Sequence, residues 1–140
     1  MEIKIKLHDE TCEPMRAGGG DWVDLAARKD VVLNQGEFAI IPLGVSIQLP
    51  DGYEALLLPR SSTFERYGII QTNSIGVIDE AYCGDDDEWG MPVYATRDTF
   101  IPKGARICQF RIIEHQTEYT FSPEKTLGNN ARGGFGSTGV

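Results

Sequence analysis

The apolar residues of this 140-residue chain recur mainly at every second position, in short runs. The segments 3–7 and 45–49 alternate apolar with polar residues, and 37–41, 53–58 and 107–113 have the same character. Because successive side chains of a strand point to opposite faces, this period is typical of half-buried strands. With 16 glycines and 7 prolines between the runs, the pattern predicts an all-β sandwich, barrel or jelly roll.

Turns and one short helix are predicted between these strands. Segments 50–52 and 102–104 both read Pro-x-Gly, where proline presets φ at one corner of a turn and glycine accepts the left-handed corner. A short helix is predicted to start at Ser62, because its spacing to Glu65 fits a capping box. We expect Gly68 to end that helix.

Charge and cysteine content narrow the function classes. The 21 acidic residues exceed the 13 basic ones, and the formal net charge is −8. This balance argues against a nucleic-acid or anionic-membrane partner. The three cysteines, Cys12, Cys83 and Cys108, form no C-x-x-C pair. Without a signal peptide or a membrane-spanning apolar run, we expect them to be reduced in a cytoplasmic protein.

Two internal segments could carry chemistry. Arg60 precedes Ser61 and Ser62 at the predicted helix start, where a guanidinium, hydroxyls and free amides favour an anion; an ordinary helix cap with a solvated arginine is the alternative. Asp79 follows an apolar run and precedes Tyr82 by three positions. A carboxylate there can activate water as a general base, or can simply form a turn.

Two further segments stand out by composition. Residues 128–140 are rich in glycine and contain almost nothing that could build a core. They predict a mobile arm, which is either merely disordered or able to close over phosphates with Arg132. Residues 85–88 are four consecutive carboxylates. Such a run cannot aim all its oxygens at one ion, so it predicts a solvated acidic loop.

Five segments in this order resemble the five motifs of the homotrimeric dUTPase family (dUTP diphosphatases), from about residue 17 to the end. The resemblance implies a jelly-roll-like β-barrel subunit, 1–127, with one short helix. It also implies a homotrimer in which a flexible glycine-rich arm, 128–140, is exchanged over a neighbouring active site. The segments that carry the resemblance are 20–26, 59–62, 76–84, 106–109 and 132–139.

The activity that the resemblance implies is hydrolysis of dUTP to dUMP and pyrophosphate, which limits uracil in DNA and supplies dUMP for dTMP synthesis. Asp79 would activate the water that attacks the α-phosphorus, and Asp24 would reach the cofactor Mg²⁺ through water. Tyr82 would pack against the deoxyribose, and Phe135 would stack on uracil. The other residues implied in substrate binding are Asn73, Gly76 and Ile78 in the third motif, and Arg60, Ser61, Ser62, Gln109, Arg132, Gly136, Ser137 and Thr138 elsewhere.

Two alternatives remain open from the sequence. One is a dCTP deaminase of the same superfamily, although the Ile-Asp-x-x-Tyr pattern at 78–82 speaks against it. The other is a regulatory, protein-binding role on the dUTPase fold, with the insert 85–89 as the contact. This insert resembles phage-type sequences, and a phage-encoded protein would act in the host cytoplasm. Within it, Trp89 is expected to be an exposed turn residue rather than a second aromatic beside the nucleotide.

Overall fold

The computed structural model describes residues 1–137 and 139. In that part the chain is almost entirely β, with one α-helix, α1 (Thr63–Tyr67), and a 3-10 turn at Glu10–Cys12. This confirms the prediction of an all-β fold with one short helix. The strands are β1 (Lys4–Leu7), β2 (Met15–Arg16), β3 (Val23–Ala26), β4 (Val31–Leu33), β5 (Phe38–Pro42), β6 (Val45–Gln48), β7 (Tyr53–Pro59), β8 (Ile69–Gln71), β9 (Gly76–Ile78), β10 (Gly90–Ala95), β11 (Thr99–Ile101) and β12 (Arg106–Glu114).

The strands form four antiparallel sheets, whose orders are β2-β3-β12-β7-β9, β5-β10-β8, β11-β4 and β1-β6. In the largest sheet, β12 pairs with β7 on one side and with β3 on the other. A bulge between Arg106 and Cys108 shifts the register toward β3. The central position of β12 brings the ends of β3, β7 and β9 into one sheet.

The core lies between the sheets and is built from alternate positions of the strands. In β10, Met91, Val93 and Ala95 are fully buried, whereas Tyr94 is exposed. Of the runs predicted from the sequence, 45–49 has its apolar residues Val45, Ile47 and Leu49 buried. In the predicted run 3–7, by contrast, Ile5 and Leu7 of β1 remain exposed.

The helix α1 has the predicted position but not the predicted cap. Ser62 has helical backbone angles (φ −91°, ψ −6°), and its side chain makes no capping bond, so the capping box is wrong. The buried Thr63 replaces it: its Oγ1 accepts from the Arg60 amide (2.9 Å) and donates to the Ile107 carbonyl (2.7 Å). Gly68 ends the helix with φ 61°, as predicted.

The predicted turns and the free cysteines agree with the structure. The amides of Tyr53 and Ala105 close the two Pro-x-Gly turns by donating to Pro50 (3.1 Å) and Pro102 (3.0 Å). All three cysteines are free, and Cys12 and Cys108 are buried. In residues 1–137 and 139, no helix is long and apolar enough to span a membrane.

Trp89 is a core residue, and its prediction as an exposed turn residue is wrong. Its side chain is only 1% exposed, and its ring packs edge-on against Phe110 with centroids 5.1 Å apart. Its amide donates to the Val45 carbonyl (2.8 Å), and its carbonyl accepts from the Leu43 amide (2.9 Å). These contacts bind the end of the acidic insert to the core.

We expect Trp89→Ala to lower the free energy of unfolding by about 3–5 kcal/mol, because it leaves a large cavity against Phe110. Urea unfolding at a fixed protein concentration measures this loss. Trp22→Ala is the matched control, because Trp22 is only half-buried, and we expect it to cost less. An equal or smaller loss for Trp89→Ala would contradict the core role of Trp89.

Candidate active site

A pocket of about 370 Å³ opens between the β8–β9 turn, strand β9 and the start of β10. Its volume lies within the usual range for small-molecule sites. It brings together every residue that the third motif contributes to the predicted site. Its lining consists of Asn73, Gly76, Ile78, Asp79 and Tyr82, together with Ile40, Leu57, Val77, Glu88, Trp89, Gly90 and Pro92.

Gly76 occupies a tightly packed position in β9. It is buried opposite Leu57 of β7. A Cβ atom at this position would lie 3.1 Å from the Leu57 Cβ and 3.6 Å from the Asn73 Nδ2. The absence of a side chain therefore lets β7, β9 and Asn73 meet at the pocket.

The tight β8–β9 turn presents Asn73 to the pocket. The Thr72 amide donates to Pro92 of β10 (3.0 Å), and the Ile75 amide donates to the Asn73 carbonyl (2.6 Å). Ser74 has φ 58°, a left-handed conformation that non-glycine residues seldom adopt. Such local strain is common where a backbone is shaped for a function.

Asp79 lies exposed at the end of β9, where it lines the rim of the pocket. Its carbonyl accepts from the Tyr82 amide (3.0 Å), so the carboxylate and the aromatic ring belong to one turn. Among residues 1–137 and 139, no side chain or amide donates to the Asp79 carboxylate. An exposed carboxylate of this kind can bind a water and accept its proton.

Tyr82 is held in place by the acidic insert. Its hydroxyl donates to the Glu88 carbonyl (3.1 Å). The Glu88 carboxylate accepts from the Arg28 Nε (2.8 Å) and from the Gly44 amide (2.9 Å). Burial opposes ionisation of Glu88, but these two bonds outweigh it and hold its pKa below the ordinary value of 4.5.

The prediction of a solvated acidic loop is therefore only half correct. Asp85 and Asp86 are exposed, as predicted. The Asp87 carboxylate accepts a hydrogen bond from the Gly84 amide at the start of the same loop (2.8 Å). Glu88 is half-buried in an ion pair, because the loop returns to the core at Trp89.

A second cluster of predicted residues surrounds the ends of β3 and β7, apart from the pocket lining. The Arg60 Nε lies 3.3 Å from the Asp24 Oδ2, and the Arg60 Nη1 donates to the Arg106 carbonyl (3.2 Å). Gln109 donates to the Pro59 carbonyl (3.2 Å). Ser61 is exposed and Ser62 half-buried. In the described chain, Asp24 contacts Arg60, and its contact with Mg²⁺ remains a prediction.

The last strand ends at Glu114, well before the predicted arm 128–140. Residues 115–137 have no helix or strand and are exposed throughout. Arg132, Phe135, Gly136 and Ser137 do not line the pocket of their own chain. Thr138, also predicted in the site, lies outside the described residues.

Gln71 is a site residue that the sequence analysis missed. It is buried in β8 and donates to the Asn73 Oδ1 (2.9 Å), so it contacts the pocket from behind. The available signal was a polar residue at a core-facing position, since Ile69 and Gln71 share the inward face of β8.

Comparison with known proteins gives consistent matches. Residues 15–139 match the model of the dUTPase family. The SPbeta prophage-derived deoxyuridine 5'-triphosphate nucleotidohydrolase YosS of Bacillus subtilis (strain 168) is 54% identical over 141 residues, which cover 100% of this chain and 99% of that protein. The deoxyuridine 5'-triphosphate nucleotidohydrolase of Thermobifida fusca (strain YX) is 38% identical over 148 residues, 99% of this chain and 78% of that protein.

Solved structures show the same fold. A mutant dUTPase of Staphylococcus bacteriophage 80alpha with dUpNHpp has a TM-score of 0.80 at 24% identity, and 99% of each chain is covered. A Streptococcus mutans dUTPase has a TM-score of 0.75 at 21% identity, over 83% of this chain and 98% of that one. These likenesses confirm the jelly-roll-like fold expected for the chain.

The Glu88 ion pair predicts a pH-dependent contribution to stability. Because the pKa of Glu88 is lowered in the folded state, its stabilisation is present above about pH 4.5 and is lost as the pH falls through the lower, folded value. We expect Glu88→Gln to cost about 1–3 kcal/mol at neutral pH. The difference from the wild type should shrink below pH 4.5.

Urea unfolding at several pH values measures this difference. Asp86→Asn is the matched control, because it removes one charge from an exposed position of the same loop, and we expect almost no change. A Glu88→Gln effect that stays constant down to the acid limit would show that the ion pair is not its cause.

Proposed function

The chain belongs to the dUTPase family, and we propose on that basis that it hydrolyses dUTP to dUMP and pyrophosphate. The single observation that carries the proposal is the pocket, in which Asp79, Tyr82 and Asn73 line one cavity. One site thus combines a general base (Asp79), an aromatic ring for the sugar (Tyr82) and an amide that can contact the nucleobase (Asn73). The dCTP deaminase alternative is not favoured, because the relatives named above are nucleotidohydrolases.

Asp79 acts as the general base in this proposal. Its exposed carboxylate binds a water, removes a proton and directs the water at the α-phosphorus. The new oxygen–phosphorus bond forms as the bond from the α-phosphorus to the bridging oxygen breaks. Pyrophosphate leaves, and the oxygen of the water remains on dUMP.

Tyr82, Asn73, Gly76 and Ile78 bind the nucleoside. The ring of Tyr82 packs against the deoxyribose and excludes a 2′-hydroxyl, while Asn73 and the turn through Gly76 contact uracil. The bond from the Tyr82 hydroxyl to the Glu88 carbonyl limits the freedom of the ring. A platform fixed before binding discriminates better than one that must be ordered by the ligand.

The phosphates require residues that the pocket of one chain lacks. Among the described residues that line it, the ionisable acids are Asp79 and Glu88, and no lysine or arginine is present. A triphosphate therefore needs cations from elsewhere. We infer that Arg60, Ser61, Ser62 and Gln109 supply contacts from a neighbouring subunit of a homotrimer.

An exposed apolar sheet face supports subunit association. Phe38, Tyr94 and Ile70 are cross-strand neighbours on β5, β10 and β8, and Ile40 lies on the same face opposite Pro92. Phe38 is 61% exposed and Ile40 is 64% exposed. Contiguous apolar surface of this kind marks interaction sites in soluble proteins.

Mg²⁺ is the proposed cofactor. In residues 1–137 and 139, no group of three or more histidines, cysteines or carboxylates could hold a metal ion. Mg²⁺ does not require such a group, because it keeps several waters and binds proteins through one or two carboxylates plus substrate phosphates. Asp24 would hold it through water. When bound, the ion neutralises charge on the phosphates and the leaving pyrophosphate.

The arm 128–140 closes the site in this proposal. Its glycines allow close approach to phosphates, Arg132, Ser137 and Thr138 bind the phosphates with Gly136, and Phe135 stacks on uracil. The exposed Phe135 side chain has nothing to pack on within the described residues of its own chain. Closure over bound nucleotide would exclude bulk water from the reaction.

We expect the purified protein with Mg²⁺ to release pyrophosphate from dUTP far faster than from dCTP, dTTP or UTP. Asp79→Asn should lower kcat by about 10²–10⁴-fold, because it removes the general base. Binding of dUpNHpp, measured by calorimetry, should persist, since the asparagine occupies the same space. Asp86→Asn is the control of equal charge change, and it should retain full activity. Comparable turnover of dCTP, or release of ammonia, would contradict the proposal.

We also expect deletion of residues 128–140 to abolish most of the dUTP turnover with little change in thermal stability. The deleted residues lie outside the sheets, and those that the structure describes are exposed, so the core is untouched. Activity assays and thermal unfolding measure the two quantities. A large fall in melting temperature would show instead that the arm is structural.

A further inference from the structure

We propose that Gln71 is a positioning residue that fixes the amide of Asn73 as a hydrogen-bond donor toward the base. This inference rests on the proposed function, and it adds a determinant of uracil-over-cytosine discrimination. Gln71 belongs to none of the five motif segments, and it lies behind the pocket rather than in it.

The orientation of the Gln71 amide is set by the backbone. Gln71 is only 4% exposed, and its Nε2 donates to the Leu57 carbonyl at 3.0 Å. That carbonyl belongs to β7 and cannot rotate. The reversed amide would place the Gln71 Oε1 against it, and two acceptors would then face each other in a buried site, which is costly. Gln71 must therefore present its Nε2.

The second hydrogen of the same nitrogen fixes Asn73. The Gln71 Nε2 donates to the Asn73 Oδ1 at 2.9 Å. Because an amide nitrogen has two hydrogens, both are used, one on the backbone and one on Asn73. The Gln71 Oε1 has no partner in the described part of the chain, so the side chain acts here only as a donor.

Asn73 consequently directs its Nδ2 away from Gln71. The Nδ2 lies 3.6 Å from the position that a Cβ on Gly76 would occupy, and Gly76 and Asn73 both line the pocket. The polar group that Asn73 offers to a ligand is therefore an N–H donor. A flipped Asn73 would offer an acceptor at the same place.

The two pyrimidines differ in the group that such a donor meets. Uracil has a carbonyl oxygen at C4, which accepts a hydrogen bond, whereas cytosine has an amine at C4, which donates. An N–H donor directed at the C4 group forms a hydrogen bond with uracil. With cytosine it would face another donor. A site built to pair one polar group rejects the mismatched analogue because buried groups are then left unpaired.

Kinetics with dUTP and dCTP test this positioning role. Gln71→Met keeps the length of the side chain but removes both hydrogen bonds, so Asn73 is free to flip. We expect the ratio of kcat/KM for dUTP over dCTP to fall about tenfold, the loss expected for one mispaired hydrogen bond. Gln109→Met is the matched control, because it removes another glutamine bond to a backbone carbonyl outside the pocket. It should lower kcat/KM equally for dUTP and dCTP and leave their ratio unchanged.

A double-mutant cycle separates positioning from a general loss of structure. In the Asn73→Ala background, Gln71→Met should change the ratio no further. An equal effect of Gln71→Met with and without Asn73, or an unchanged ratio in the single variant, would overturn the inference.

Asn73→Asp tests the same point with Gln71 intact, and so serves even if Gln71→Met fails to fold. Gln71 should hold one carboxylate oxygen, and the other should face the base as an acceptor. We expect Asn73→Asp to lose at least as much of the dUTP preference as Gln71→Met does. A retained preference would overturn the inference. If the wild-type protein hydrolyses dUTP and these variants have the same kcat/KM ratio of dUTP over dCTP as the wild type, this inference alone is overturned. A wild-type protein without dUTP hydrolysis overturns the proposed function as well.

Discussion

The pairing of β12 with β7 on one side and β3 on the other determines where the functional segments lie. Gln109 of β12 pairs with Leu58 and with Asp24, so segments far apart in the sequence become neighbours. The Ile107 carbonyl accepts from Thr63, which places the start of α1. Phe110 packs on Trp89, which draws the acidic insert onto the core. Disruption of this strand would therefore affect the pocket and the Arg60–Asp24 cluster together.

We propose that the pocket binds the uncharged part of a nucleotide. Two contacts behind the lining hold the pocket: Glu88 is fixed by Arg28, and Gln71 is fixed by Leu57. No lysine or arginine is among the described residues that line the pocket, so a bound triphosphate would need cations from elsewhere. In the proposed mechanism recognition is divided: one chain contacts the base and sugar, and other subunits and Mg²⁺ hold the phosphates.

The sequence predicted the all-β fold, because the period-two pattern of the strands is local, and it selected third-motif residues that line one pocket. Period-two alternation indicates strands, and Gly68 ends the helix because glycine readily adopts the positive φ found there. The Ser62 capping box failed, and two further predictions failed where the answer depends on distant partners. Trp89 is buried because Phe110 lies across the core, and Glu88 is paired because Arg28 approaches from another loop. No local pattern reports such contacts. Gln71 could have been found, because a polar residue at an inward position of a strand requires a partner.

The reaction proposed for the pocket is attack of water at the α-phosphorus of dUTP. Hydrolysis of dUTP in water enriched with oxygen-18, followed by mass spectrometry of both products, tests it most directly. Attack at the α-phosphorus places the label in dUMP and leaves pyrophosphate unlabelled. Label in pyrophosphate would mean that the attack occurs at the β-phosphorus, and it would contradict the assigned geometry.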